Sequence, residues 1–455
     1  MQKCNGNKLS RRVTQYIPIL IIAGIAMVPP LNAQDPPPAV LSLSLSTAVE
    51  LALKNNIQTL VAGQQVIESE GARGITLSAL LPNLTASSSQ TNMTVNLAAM
   101  GLPVKDLNGF PAFVGPFNRF DARLSLVQSL FDLGAIRRFQ ASSRGVDLVR
   151  DRQDLAVQQV TTASIISYLT VLEAEQTLSA AQANVQLAER LLELATSQKD
   201  AGVATGTDVA RAETRVANQR VQLAQALTSL NMVRLNLLRV IGVPLSTNIV
   251  LADRMRFGPE RVLDFNQAIE RALSDRVEIK MAELQVQIAE TQRKAAVAGW
   301  LPTLSAFGDY GSSGLKPNEL NLPTRSAGVQ LNLSVFDGGH TRSEVKVASS
   351  RWLQAEMQRN DLRAAVEKEV RQALMNLKTL EEQVKASIQA EALATRELEL
   401  AQDRFKNGVG DNIEVVSAQT ALENARQTYV SSLAQFNVAR VNLAVAMGHP
   451  EDFRF

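Results

Sequence analysis

Val366, Val370, Ala373, Leu377, Leu380 and Val384 step along the chain by four and three in alternation, with charged and amide residues between them. That spacing is the apolar seam of a helix in a coiled coil. In the same frame Ser387 and Glu391 interrupt the seam, and Ala394, Leu398, Ala401 and Phe405 resume it. Beyond "NGVGD" the step continues through Val415, Ala418, Leu422, Ala425, Tyr429, Ser432, Phe436, Ala439 and Leu443. The pattern predicts a long helix over 341–406, reaching roughly 100 Å at 1.5 Å per residue, and a return helix over 412–447. The first half of the chain predicts the same pair over 137–201 and 206–241. Shorter helices over 57–80 and 277–300 precede the two long ones. The two shorter helices of each half nearly sum to the long one. Laid end to end beside it, they make a two-stranded coil.

Between the helices the period changes to two. Phe120, Ala122, Leu124, Leu126 and Leu130 fall on one side, with Arg119, Asp121, Arg123 and Ser125 on the other. Later, Ala327, Val329, Leu331, Leu333 and Val335 alternate with Ser326, Gln330, Asn332 and Ser334. Such alternation fits a strand of a membrane barrel or a half-buried strand of a soluble sheet. Leu81-Pro82 and Leu301-Pro302 mark where helix gives way to strand, because proline disfavours the helical conformation of the residue before it.

These landmarks occur twice in the same order. "TAVELALKNN" (47–56) returns as "QAIERALSDR" (267–276), and "SALLPNLTASSS" (78–89) as "AGWLPTLSAFGD" (298–309). "LSLVQSLFDLG" (124–134) returns as "VQLNLSVFDGG" (329–339), "AGVATGTDVARAE" (201–213) as "NGVGDNIEVVSAQ" (407–419), and "LNLLRVIGVP" (235–244) as "VNLAVAMGHP" (441–450). The chain therefore reads as an internal duplication. Its first copy carries extra residues in a Gly/Pro-rich loop at 96–116.

Composition narrows the class. Only 4% of the residues are aromatic, which favours long helices with narrow seams over a thick core. Lys3, Lys8, Arg11 and Arg12 precede the apolar run "IPILIIAGIAMV" (17–28), and Ala33 is a fitting end for an export signal over 1–33. Its removal leaves a net charge of −2, from 42 basic and 44 acidic residues, so the basic pI of the whole chain does not point to nucleic acid. The only cysteine, Cys4, lies within that signal. No later stretch reads as long and apolar enough for a membrane helix. The export signal and flanking helices favour the barrel reading of the strands. Two strands per copy give four per chain, too few to close a barrel. Open edges facing lipid cost several kcal/mol per unpaired group. Two chains would pool eight strands and three would pool twelve, and only the wider barrel leaves an open polar lumen.

The "AVELALKNN" opening, the repeated "LP" break, the "LFDLG"/"VFDGG" strand ends, the two glycine turns and the closing "GVP"/"GHP" resemble the TolC family of outer-membrane efflux proteins. The resemblance covers nearly the whole mature chain. It implies an α+β membrane protein with antiparallel coiled-coil helices, a homotrimer whose twelve-stranded barrel continues into a periplasmic helical tunnel. The tunnel mouth would open when a periplasmic adaptor and an inner-membrane transporter dock. The implied division is 1–33 as signal and 34–56 as an N-terminal periplasmic segment. Repeat one spans 57–255, with strands at 82–95 and 117–131, and repeat two spans 256–455, with strands at 302–312 and 325–336.

By the same resemblance the periplasmic tip comprises Gly202, Val203, Thr205 and Asp208 in the first turn. The second turn supplies Phe405, Gly408, Val409, Gly410, Asp411, Glu414 and Ser417. Glu414 matches an entrance carboxylate of the family, and Ser417 stands where a second is usual. Phe405 and Gly410 occupy the places of a tyrosine and an arginine that help hold relatives shut, and Asp208 matches the carboxylate pairing with that arginine. The fastening of relatives therefore does not carry over. Thr205 and Asp411 also suit helix N-caps, each with a carboxylate three residues on to complete a capping box. A ring of Glu414 at a threefold mouth would in addition favour cations.

Other chemistry lacks its parts. "DRFKNGVGDNIE" (403–414) imitates a calcium loop, but Phe405 holds a position that must supply oxygen. His340 and His449 have no companion ligands in sequence, "GVATGTD" lacks the Lys-Ser/Thr of a phosphate loop, and no nucleophilic triad is evident. No metal, cofactor or catalytic residue is expected. Trp300, beside Pro302, suits a membrane interface, while Trp352 suits packing. The expected function is a passive outer-membrane exit duct, in contact with outer-membrane lipid, for efflux or type I secretion. The alternative is a periplasmic coiled-coil adaptor or scaffold without a pore. Drugs, metal ions and polypeptides all remain open as cargo.

Overall fold

The computed structural model describes residues 41–100, 113–258 and 264–454. The expected export signal, Cys4, the centre of the 96–116 loop and Phe455 lie outside the described residues. The first half contains β1 (Leu41–Leu43), α1 (Leu45–Asn55), α2 (Ile57–Ser78), β2 (Asn83–Asn96), β3 (Phe113–Phe131), α3 (Leu133–Asp200), α4 (Gly206–Ile241) and β4 (Ile249–Leu251). The second contains α5 (Phe265–Asp275), α6 (Val277–Val297), β5 (Thr303–Gly314), β6 (Leu322–Asn332), α7 (His340–Lys406) and α8 (Asn412–Ala446).

Four strands form one antiparallel sheet in the order β2-β3-β5-β6, which leaves β2 and β6 as edges. The ladder sorts the faces. Leu84 stands opposite Leu126, Leu304 opposite Leu331 and Ala306 opposite Val329. On the other face Ser87 meets Arg123, Ser89 meets Asp121 and Asp309 meets Ser326. Arg123 Nη1 donates across strands to Asp309 Oδ1 at 3.3 Å, and Ser313 Oγ donates to Asp121 Oδ2 at 2.9 Å. Val127 and Phe307, opposite each other, break the polar face, and Ser88, Gln90 and Asn92 continue β2 on the apolar side.

Several boundaries move from their expected places. β3 begins at Phe113, because pairing with β2 runs on to Asn96 through a register shift at Met93/Val95. β6 spans Leu322–Asn332, whereas the pattern placed it at 325–336. Its ladder partner starts at Thr303, opposite Asn332, and Pro302 before it has no N–H to extend the ladder. Phe131, the counterpart of Phe336, is held in its strand by Leu304 on the far side. Phe336 has no such neighbour among the described residues and is 89% exposed. α3 begins at Leu133 because Asp132 accepts the Ala135 N–H at 2.8 Å as N-cap. Pro82 and Pro302 each directly precede a strand, after the last helical turn has tightened: Leu80 and Leu81 donate to the carbonyls of Leu77 and Ser78.

The helices follow the seam. Val366, Val370 and Val384 are fully buried, and Leu377 and Leu380 nearly so. α3 packs against α2 near the sheet and against α4 beyond it, while α7 does the same with α6 and α8. At the two ends of the first half, β1 and β4 pair in parallel. The largest buried cluster surrounds them, with Leu43, Ala52, Ile165, Tyr168, Leu169, Leu237 and Ile241. Tyr168 Oη donates to Leu43 O and Asp253 Oδ2, both at 2.9 Å, and burial pushes its pKa up. The segment 34–56 thus contributes core through β1 and α1.

One expectation is corrected here. α3 does contain an 18-residue window apolar enough to cross a membrane, half of it buried within the fold. Its Val160, Ile165, Leu169 and Leu172 belong to the central cluster, so packing accounts for the apolar run. Trp352 packs under the Arg293 guanidinium, 4.8 Å from its ring centroid, whereas Trp300 is exposed beside the start of β5.

Candidate functional site

The two glycine turns close in the same way. In the first, the Gln198 carbonyl accepts the N–H groups of Val203 (2.9 Å) and Ala204 (3.1 Å). In the second, the Arg404 carbonyl accepts those of Val409 (3.0 Å) and Gly410 (3.1 Å). Gly202 and Gly408 take φ of 76° and 70°, the left-handed conformation that ends a helix and that other residues adopt only with strain. Val203 and Val409 are left largely exposed at the tips.

The turns lie against each other. Gln198 Nε2 donates to the Lys406 carbonyl at 3.2 Å, and Asn412 Nδ2 to the Asp208 carbonyl at 3.1 Å. Phe405, 6% exposed, anchors an apolar cluster with Leu398, Ala401, Val415, Ala418 and Leu422, onto which Leu191, Leu194 and Ala204 of the other turn pack. Farther along, Arg215 and Gln219 of α4 both donate to Glu423 of α8. Phe405 is thus the core of the tip.

The carboxylates divide. Thr205 and Asp208 form the expected capping box: Thr205 N donates to Asp208 Oδ2 at 2.9 Å and Asp208 N to Thr205 Oγ1 at 3.4 Å. Hydrogen bonds from the Thr205 side chain and backbone hold the Asp208 carboxyl below its usual range, with help from Arg211 at 3.3 Å. In the second turn Asp411 caps α8 through the Ile413 N–H, but Glu414 does not complete a box. It accepts instead from Arg404 Nε at 3.2 Å. The counterpart of Arg404 in the first turn is the uncharged Gln198, so the first turn has no cation at this position. Ser417 is exposed.

Gly410 leaves room for this pairing. A Cβ there would lie 3.0 Å from Arg404 Cβ, 3.2 Å from Glu414 Oε2 and 3.3 Å from Phe405 N. The residues that the resemblance places at the tip are therefore brought together in the two turns, with Ser417 exposed one helical turn beyond Glu414. Arg404, Gln198 and Asn412 were not anticipated. Their only signal was polarity beside a glycine turn, which most solvated turns share. Among the described residues no group of three His, Cys, Asp or Glu is placed to hold a metal ion.

Comparison with known proteins places this geometry. The sequence profile described as "Outer membrane efflux protein" matches residues 48–243 and 268–449, both halves of the chain. The outer membrane protein TolC of Escherichia coli (strain K12) is 25% identical over 361 residues, covering 76% of this chain and 71% of that protein. The alkaline protease secretion protein AprF of Pseudomonas aeruginosa is 24% identical over 402 residues, covering 84% and 80%. The fold resembles the crystal structure of the Campylobacter jejuni CmeC outer membrane channel with a TM-score of 0.75 at 19% identity, over 89% of this chain and 85% of that one. The chain belongs to the outer membrane efflux protein family.

Proposed function

We propose that three copies of this chain form one passive exit duct, with the two glycine turns of each copy at its periplasmic mouth. The observation that carries the reading is the four-stranded sheet with two open edges, mainly apolar on one face around Leu126 and Leu331 and mainly polar on the other around Arg123 and Asp309. Family membership sets such a sheet in the outer membrane, where open edges are untenable and must be paired by neighbouring copies. Three copies give twelve strands around a lumen lined by Arg123, Asp121, Asp309 and their serine neighbours. The long helices continue away from the sheet as the tunnel.

In this reading the protein does no chemistry and uses no cofactor. Cargo is chosen and energised by an inner-membrane transporter, and a periplasmic adaptor joins that transporter to the turns. TolC and AprF, by their names an outer membrane protein and a secretion protein, support the efflux and secretion setting. Detergent extraction of the outer-membrane fraction, a mass measurement and planar-bilayer conductance test the reading together. A trimer that conducts is expected. Recovery as a soluble monomer without channel activity would instead favour a periplasmic scaffold.

A further inference from the structure

We propose that Arg404 determines the charge selectivity of the mouth, cancelling Glu414 so that the entrance does not select small cations. The proposal rests on the reading of the turns as the mouth of a threefold duct. A ring of three free Glu414 carboxylates would concentrate cations at the narrowest point. The structure gives that carboxylate a partner 3.2 Å away, within its own turn.

Three positions act together. The Arg404 carbonyl is fixed by the Val409 and Gly410 N–H groups, which sets where its side chain leaves the helix. Gly410 keeps clear the space between Arg404 and Glu414 that a Cβ would enter. Glu414, in the first turn of α8, has no capping box to draw it back toward the helix end. The other first-turn carboxylates are engaged differently, Asp208 with Thr205 and Arg211, and Asp411 with the Ile413 N–H. In the first turn, Gln198 reaches the Lys406 carbonyl and leaves Asp208 to its cap. Arg404 and Glu414 are about half exposed, at 56% and 49%, and an exposed pair of this kind adds little stability. Its effect is on the field at the entrance: three paired carboxylates present dipoles, and three unpaired ones present charge.

The test uses the full-length trimer in planar bilayers under a KCl gradient, with Mg²⁺ added on the side of the turns. Wild type and Arg404→Lys, which keeps the cation, are expected to discriminate weakly between K⁺ and Cl⁻ and to resist Mg²⁺. Arg404→Gln is expected to favour K⁺ by on the order of tenfold at low salt, with block by Mg²⁺. Adding Glu414→Gln to Arg404→Gln should abolish both effects. A conducting wild type already as cation-selective as Arg404→Gln, or an Arg404→Gln selectivity that survives Glu414→Gln, overturns the proposal and leaves the duct standing. A protein that forms no channel removes the duct reading and the proposal with it.

Discussion

Asn412 Nδ2 donates to the Asp208 carbonyl at 3.1 Å, tying the first turn of α8 to the first turn of α4. Asn412 is 6% exposed, so the bond is shielded from competing water. It is a direct fastening between the two hairpins of one chain, made to a backbone carbonyl, and the same amide also favours the charged form of the Asp208 carboxyl. Replacing Asn412 with Ala should cost about 1 kcal/mol and loosen one tip from the other. Planar-bilayer recording should then find longer or more frequent open periods than in wild type, and unchanged gating would remove this bond from the closing mechanism.

The duplication predicts a register for closure between copies. Within the chain Ser125 stands opposite Asp309. The duplication maps that pair onto Gln330 of β6 and Ser89 of β2, the two free edges. Cysteines at Gln330 and Ser89 should therefore oxidise between neighbouring copies and yield a covalent trimer on denaturing gels. Moving the second cysteine to Ser88 places it on the opposite face and should abolish the product.

Phe405 fills the apolar centre of the tip. Phe405→Ala should destabilise that region by about 3 kcal/mol through lost burial and a residual cavity. Hydrogen exchange is expected to quicken in residues 394–425 with little change near Tyr168. Loss confined to the central cluster would contradict this assignment.

The α7–α8 seam has a gap. Its apolar clusters end at Val384 with Phe436 and resume at Ala394 with Leu422. Between them the buried Ser387 and Ser432 border a groove of about 650 Å³. The matching positions in α3 and α4 include Ala181 and Ala226, the latter buried, so alanine methyls stand where the second half has hydroxyls. Amides near Ser387 should therefore exchange faster than those near Ala181, and Ser387→Val should narrow the difference.

His449 lies between Asp275 and Glu451, 3.2 Å from each. Hydrogen bonds to Asp275 first, and then to Glu451, raise its pKa above 6.5. A pKa raised in the folded state gives a contribution that is complete below about pH 6.5 and lost as pH climbs through the folded value. The side chain is 43% exposed, so the effect should stay under about 1 kcal/mol. Protease sensitivity of the 448–454 tail should rise as pH increases above 6.5, and His449→Gln should flatten that dependence.

The periodic features were legible because period and burial share a cause. Every seam position from Val366 to Val384 points at a neighbouring helix, so its apolar character repeats at the helical step, and the break at Ser387 showed in sequence before it showed as a groove. The strands were legible for the same reason, but their ends were not. A strand stops where its partner stops, and the partner of β6 is halted by Pro302, some thirty positions away by the ladder pairing of Thr303 with Asn332. The ion pair of Glu414 was hidden because Arg404 lies ten positions earlier and across a turn, outside the three- and four-residue spacing by which helix partners are recognised. His449 was read as isolated because Asp275 lies 174 positions away.

The middle pairing of the sheet governs how the chain can be made. Arg123 and Asp309 bridge β3 and β5 from positions 186 apart, with α3, α4, β4, α5 and α6 threaded between them. Contacts so distant are slow to form. The β2–β3 hairpin must wait, one apolar face and two edges bare, until β5 and β6 arrive. During transit across the envelope the chain is therefore most vulnerable as a half-built sheet, when association with another copy in the wrong register competes with completion.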